Sequence, residues 1–173
     1  SVSIFYQNPN NPNQWNFHQK VTVLDTDSGD NLGASVALDG DRLVAGANFD
    51  DETASNAGAA YVFYRNQGGA DSWGQVAKLL ATTGDANDNM GVSVAIEGDY
   101  AVVGANGVDG FLQDVGAAYI FGRNQFGADN WGQVARLEGT PNGQNDNFGG
   151  SVAISGPWAL VGADRSDIKG VDA

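Results

Sequence analysis

The 173-residue chain repeats itself every 58 residues without a gap. Trp15, Trp73 and Trp131 keep this step, as do Gly33, Gly91 and Gly149, then Gly46, Gly104 and Gly162, and Ser35, Ser93 and Ser151. A fixed period of this size means one supersecondary unit used several times, each copy covering apolar surface on the next. Each copy reads as four short strands. Strand A is GVSVAI from Gly91, where Val92, Val94 and Ile96 alternate with small uncharged residues. That is strand period with both faces covered. Strand B, YAVVGA from Tyr100, is apolar throughout, as a doubly buried strand is. Strand C is AAYVF from Ala59 and AAYIF from Ala117, rich in β-formers. Strand D, QVAKLL from Gln75 and QVARLE from Gln133, carries a regular charge at Lys20, Lys78 and Arg136, which reads as protection of an open edge.

Between A and B stand DGD, EGD and SGP, so Gly40, Gly98 and Gly156 fall where a tight hairpin needs positive φ. Asp39-Gly40 is a hairpin signal, and Pro157 opens the strand that follows. Four antiparallel strands per copy, strictly repeated, predict all-β blades of a β-propeller. A β-sandwich is the rival, but it does not require such repetition. The phase divides the chain into a half blade at 1–31 (strands C and D), blades at 32–89 and 90–147, and a half blade at 148–173 (strands A and B).

Composition narrows the function classes. A net charge of -13 with only 8 Lys and Arg argues against a nucleic-acid partner, which needs clustered cations. It equally disfavours anionic lipid. The absence of cysteine removes disulfides and a thiol nucleophile. No apolar run approaches the roughly 20 residues that span a bilayer. The chain opens at SVSIFYQ without Met and reads as a mature product, a trimmed chain or a fragment.

Phe148-Gly149 followed by Val161-Gly162-Ala163 resembles the FG-GAP repeat, the blade unit of integrin α-subunit propellers and of many bacterial surface proteins. Leu32-Gly33 with Ala45-Gly46-Ala47, and Met90-Gly91 with Val103-Gly104-Ala105, are the other copies; GAAYVF is similar to the bacterial variety. The resemblance implies a propeller that is secreted or at the cell surface. In integrins an Asp-rich calcium loop occupies the A–B hairpin of several blades. Here LDGDR, IEGDY and ISGPW stand in its place. Calcium takes six to eight oxygens, and a two-residue turn cannot wrap around it, so that site does not carry over.

A second acidic loop lies between strands B and C. Asp or Asn recurs in phase at Asn48, Asn106 and Asp164, at Asp51, Asp109 and Asp167, and at Asn56, Asp114 and Asp172. In the first copy Asn48, Asp50, Glu52 and Asn56 fit offsets of a looped calcium site. The alternative is that these side chains cap turns. Asp30, Asp88 and Asp146, just before strand A, read as turn formers with metal ligation as the other reading. The in-phase tryptophans fit a packing role, with a sugar-stacking platform as the alternative. Phe49, Phe111 and Phe126 sit out of phase in loops and are candidate ligand or interface residues. His18 is the single histidine, and no Ser-His-Asp spacing, Walker loop or distinctive carboxylate pair accompanies it.

The expected function is therefore non-enzymatic: an extracellular or cell-surface propeller module for adhesion, protein binding or scaffolding through its loops. A lectin-like propeller assisted by calcium is the alternative, and a structural unit joined by blade sharing is the second. Propellers have roughly four to eight blades, so three copies do not make a ring. Either further repeats of a longer chain or a homodimer closing a six-bladed ring would supply the rest.

Overall fold

The structure, a computed structural model, describes residues 1–23, 25, 27–110, 113–125, 127–140 and 144–165. Among these there are twelve strands and no helix. The strands are β1 (Val2–Asn8), β2 (Asn11–Val21), β3 (Val36–Asp39), β4 (Arg42–Ala47), β5 (Ala59–Arg65), β6 (Trp73–Leu79), β7 (Met90–Glu97), β8 (Tyr100–Ala105), β9 (Ala117–Gly122), β10 (Gly132–Leu137), β11 (Phe148–Ser155) and β12 (Trp158–Ala163). They form two four-stranded antiparallel sheets, β3 to β6 and β7 to β10, each in sequence order, and two hairpins, β1-β2 and β11-β12. The sheets do not close on themselves; the array is part of a propeller ring.

The continuous apolarity of strand B follows from this stacking. Along β4, Leu43 and Ala45 enter the core shared with the N-terminal hairpin, while Val44 enters the core shared with the next blade. Side chains of a strand alternate between faces, so burial on both faces demands apolar residues at every position. The first core joins Val2, Val21 and Val23 to Tyr61, Phe63 and Trp73. The second joins Val44 and Val62 to Met90, Val94, Ile96 and Phe121.

The inner strands carry the seams between blades. β7 lies against β3 and β4, and β11 against β7 and β8. The Ser35 hydroxyl donates to the Gly91 carbonyl at 2.7 Å, and Ser93 to Gly149 at 2.7 Å. Gly46 and Gly104 are present because of this approach: a Cβ on Gly104 would lie 2.9 Å from the Gly149 carbonyl carbon, with its oxygen closer still. The recurring Ser and Gly of the sequence are thus the two sides of one repeated contact.

The hairpins depart in detail from the sequence reading. Asp39 pairs with Arg42, so the central turn residues are Gly40 and Asp41 rather than Asp39 and Gly40. Gly40, Gly98 and Gly156 have φ of 56°, 54° and 53°, which places glycine first in the turn, as type II′ requires. Pro157 is then the second turn residue, where its fixed negative φ suits the backbone, and β12 begins at Trp158.

Candidate functional site

At the ends of strand B the chain leaves each sheet into the B–C loop, residues 48–58 in the first blade and 106–116 in the second. Each loop is stitched to the segment that leads into strand A of the following blade. Asn87, Asn89 and Met90 donate backbone N–H groups to Ser55, Asn56 and Ala57 at 2.8, 3.1 and 2.9 Å. One period later Asn145 and Phe148 donate to Gln113 and Val115 at 3.0 and 3.2 Å. Loop and seam therefore form one rim. Positive φ at Asn56, Asp114, Asn87 and Asn145 bends the backbone for these contacts, a conformation that Asn and Asp tolerate better than other side chains.

Within the loops Asp51 and Asp109 do the same work. Each Oδ1 accepts the backbone N–H five residues on, from Asn56 at 2.5 Å and from Asp114 at 2.9 Å. Asn48 accepts from Asn31 at 2.9 Å, and Asn106 donates to Asn147 at 2.6 Å. Asn147 in turn donates to Asp164 at 2.5 Å. A polar cleft of about 190 Å³ lies there, lined by Asn89, Asn106, Asp114, Asn145, Asn147 and Arg165. Phe49 is exposed on the first loop. Phe111, Phe126, Asp167 and Asp172 lie outside the described residues.

The first loop holds a buried network that sequence reasoning missed. Asp50 is 2% exposed; its Oδ1 accepts the Glu52 N–H at 3.1 Å and its Oδ2 accepts the Tyr61 hydroxyl at 2.8 Å. Lys78, its side chain 12% exposed, places its ammonium 2.9 Å from that same Oδ2, 3.5 Å from Asp25, and against Glu52. The ammonium also sits over the Tyr61 ring at 5.2 Å. Lys78 is thus not a solvent-facing guard of the β6 edge. β6 is an outer strand, but this side chain turns inward to neutralise the loop carboxylates. Asp50, Glu52 and Asp25 converge on that ammonium, and among the described residues no group of three or more His, Cys, Asp or Glu is arranged to hold a metal ion.

Burial disfavours the charged form of Lys78, but hydrogen bonds to Glu52, Tyr61 and Asp50 outweigh it and raise its pKa above the usual 10.5. Burial pushes the Tyr61 hydroxyl above its usual 10.0, and the bond to Asp50 adds to the shift. Both folded-state values lie above the unfolded ones. The stability tied to these groups is therefore complete below about pH 10 and is lost as pH rises through the folded values. The urea midpoint is expected to fall above about pH 10, and less steeply in Tyr61→Phe, since one of the two titrations is then gone.

The second copy lacks this network. Val108, Tyr119 and Arg136 occupy the positions of Asp50, Tyr61 and Lys78. Arg136 pairs with Glu138 at 3.0 Å, and the fully buried Tyr119 hydroxyl has no hydrogen-bond partner among the described residues. Tyr119→Phe is expected to be neutral or stabilising by up to about 1 kcal/mol, whereas Tyr61→Phe, which breaks a bond to a carboxylate, should cost about 1.5 kcal/mol. Urea midpoints of the two variants check the contrast. The paired change of Asp to Val and Lys to Arg between copies is the sequence signal that marked the network.

The remaining candidates have structural surroundings. Asp30 and Asp88 are buried, and each accepts the N–H three residues before it, at 2.6 and 2.8 Å. Burial raises the pKa of Asp88, which the bond from Asp85 opposes. Asp146 is likewise buried. Trp73 is buried against the N-terminal hairpin, and its backbone exchanges bonds with Gln19 at 2.7 and 2.9 Å. Trp131 donates its indole N–H to the Tyr64 hydroxyl of the preceding blade at 3.0 Å, while Trp15 is exposed. His18 Nε2, on β2, lies 2.8 Å from the Asp71 carbonyl oxygen in the β5–β6 loop, an exposed contact.

No curated protein matches the chain as a relative. The FG-GAP repeat family matches residues 15–63, 73–121 and 131–173, in the same register as the three tryptophans. With four-stranded blades, Ser-Gly seams in the same phase and matches over most of its length, the chain belongs to the FG-GAP repeat family.

Proposed function

We propose that the chain is a non-enzymatic binding module of an extracellular or cell-surface protein, and that it engages a protein partner through the rim of B–C loops. The observation that carries this reading is the stitching of each loop to the next blade. A loop so held presents its side chains at little ordering cost on binding. FG-GAP repeats are typical of extracellular and surface proteins, and the successive loops expose Asp51, Glu52, Asp109, Asp114 and Asp164, with Phe49 exposed on the first. Loops that offer carboxylates and an exposed aromatic suit a partner surface that carries Lys or Arg and an apolar spot.

An immobilised library of basic peptides, probed at low and high salt, tests the reading. The chain should be retained on a subset of sequences and released by salt. Retention should fall when Asp51, Asp109 and Asp114 are changed to Asn and Glu52 to Gln, which keeps the capping acceptors. Charge removal at the A–B turns (Asp39, Asp41 and Glu97) should leave retention unchanged. Equal retention of the two variants removes the rim from the function. A glycan array with and without chelator addresses the carbohydrate alternative: chelator-sensitive sugar binding without peptide binding would put a calcium-assisted lectin in place of the protein-binding module.

A further inference from the structure

We propose that the polar cleft over the second seam is a metal-independent site for one neutral sugar ring, such as the terminal residue of a glycan. This goes beyond the protein-binding reading. The cleft lies where the B–C loop of the second blade meets the entry to β11 and the chain that leaves β12, and it is lined by Asn89, Asn106, Asp114, Asn145, Asn147 and Arg165. Each of these positions has a counterpart in phase at the first seam. There the two sides are tied, since the Asn56 amide donates to Asn87 Oδ1 at 3.2 Å. In the second copy Asp114 stands in place of Asn56 and its carboxylate has no N–H to give. Among the described residues no bond from Asp114 to the Asn145 side chain replaces the tie, and the space between them is open to a ligand.

The bonds inside the cleft decide what a ligand must bring. Asn106 spends its Nδ2 on Asn147 at 2.6 Å, and Asn89 spends its Nδ2 on the Asn87 carbonyl at 2.8 Å. Each keeps an Oδ1 that can accept. The Asp114 carboxylate is exposed and adds acceptor oxygens, while the exposed Asn145 amide offers both kinds of group. Arg165 supplies further donors: its side chain is exposed and, among the described residues, pairs with no carboxylate. Asn89, Asn106 and Asn147 are half-buried and fixed by their bonds, so the floor is set before anything binds.

Most ligand classes leave part of this lining unsatisfied. An ammonium or guanidinium only donates, and Arg165 would repel it. A carboxylate or phosphate only accepts, and it would face Asp114 and the amide oxygens. Calcium takes six to eight oxygens, and among the described residues no group of three or more His, Cys, Asp or Glu is arranged to hold a metal ion. An apolar ligand gains nothing, because none of the six side chains is aliphatic or aromatic. A hydroxyl both donates and accepts. Neighbouring hydroxyls on a ring can give to Asp114 and the Asn oxygens and take from Arg165, so that no group is left unpaired. The volume of about 190 Å³ is below the roughly 300–1,000 Å³ of drug-sized sites and suits a single ring.

Titration of the isotope-labelled 173-residue chain with free monosaccharides, followed by NMR in the presence of EDTA, tests this. D-Glucose, D-galactose, D-mannose and L-fucose are the sugar probes, with methylammonium chloride and sodium acetate as charged ones. At least one sugar should give saturable shifts of the Asn89, Asn106 and Asn147 side-chain amides, with the Gly40 and Gly98 N–H groups at the A–B turns unmoved. Arg165→Glu should weaken that binding about tenfold or more, the usual effect of losing a hydrogen bond to a charged group. Asn145→Gly removes an amide while accepting the φ of 61°; it should weaken binding as well, and it decides the matter if Arg165→Glu perturbs the fold. Retention on basic peptides should be unchanged or stronger in Arg165→Glu, because the rim gains a carboxylate. The two readings therefore fail separately: loss of peptide retention in the parent chain removes the rim alone. Absence of a saturable shift with every sugar, a requirement for calcium, saturation of the same amides by methylammonium or acetate, or sugar shifts that survive both substitutions overturns the proposal.

Discussion

Gly104→Ala should lower the stability of the folded chain by about 3 kcal/mol or more, although it adds a single methyl group to a β-strand. Ordinarily Ala is at least as good as Gly in such a position, because it reduces the freedom of the unfolded chain. Nor does Gly104 have the positive φ that would exclude Ala. The cost comes entirely from the seam. The new Cβ would overlap the Gly149 carbonyl, with its carbon 2.9 Å away and its oxygen nearer, and would press on Ser93 Oγ, which holds that same carbonyl. Backbone cannot rotate away as a side chain can, so the two blades must separate and the core between them opens. Overpacking of a dense interior typically costs about 1–3 kcal/mol, more where backbone must move. Gly46→Ala should behave alike, since its Cβ would lie 2.8 Å from the Gly91 carbonyl carbon. Gly40→Ala meets no atom within 4 Å, and its smaller cost should come from φ alone. Urea midpoints of the three variants check the ranking; a Gly104→Ala chain as stable as the parent would show that the seam does not depend on close backbone approach.

Much of this architecture was legible because repetition turns a long-range property into a local one. A glycine that lets two blades meet is no different, in isolation, from a glycine in a loop. Three glycines in phase with three serines, beside strands apolar on both faces, point to packing between copies. The four strands of each blade and their order followed from the same pattern. The turn geometry did not: Asp39-Gly40 is a good hairpin dipeptide, but the register of β3 on β4 shifts the turn by one residue. Lys78 was misjudged for a related reason. A charge in phase on an outer strand is what an edge guard looks like, and only the fold brings Asp50, 28 positions earlier in the sequence, against its ammonium. Offsets along the B–C loop were legible as oxygens at regular spacing. Where those oxygens point is decided by partners on other elements, Asn31 for Asn48 and Lys78 for Asp50, and these no local spacing reveals.

Asp50→Val tests that long-range pairing most directly, and about 3 kcal/mol of stability is expected to be lost. The substitution is the one the chain itself makes at Val108, so the backbone accepts it. What it leaves behind is the difficulty. The Lys78 ammonium loses its most buried partner, and the Tyr61 hydroxyl loses the carboxylate that accepts from it. Removing one member of a buried ion pair typically costs about 3–5 kcal/mol, because the remaining charge stays desolvated. Glu52 and Asp25 still contact the ammonium but are about half exposed, which places the expected loss at the low end. Replacing the buried polar groups should undo most of the damage: Asp50→Val with Lys78→Met and Tyr61→Phe leaves only the half-exposed carboxylates of Glu52 and Asp25, which water can solvate, and such exchanges are often neutral or stabilising. The triple variant should therefore unfold at a higher urea concentration than Asp50→Val alone, and without the alkaline loss that Lys78 and Tyr61 confer. If the single change is harmless, or the triple change adds to its cost, then Asp50 does not neutralise Lys78 in solution. The first loop would then be held by its backbone contacts to the next blade and by the side-chain bonds of Asp51 and Asn48.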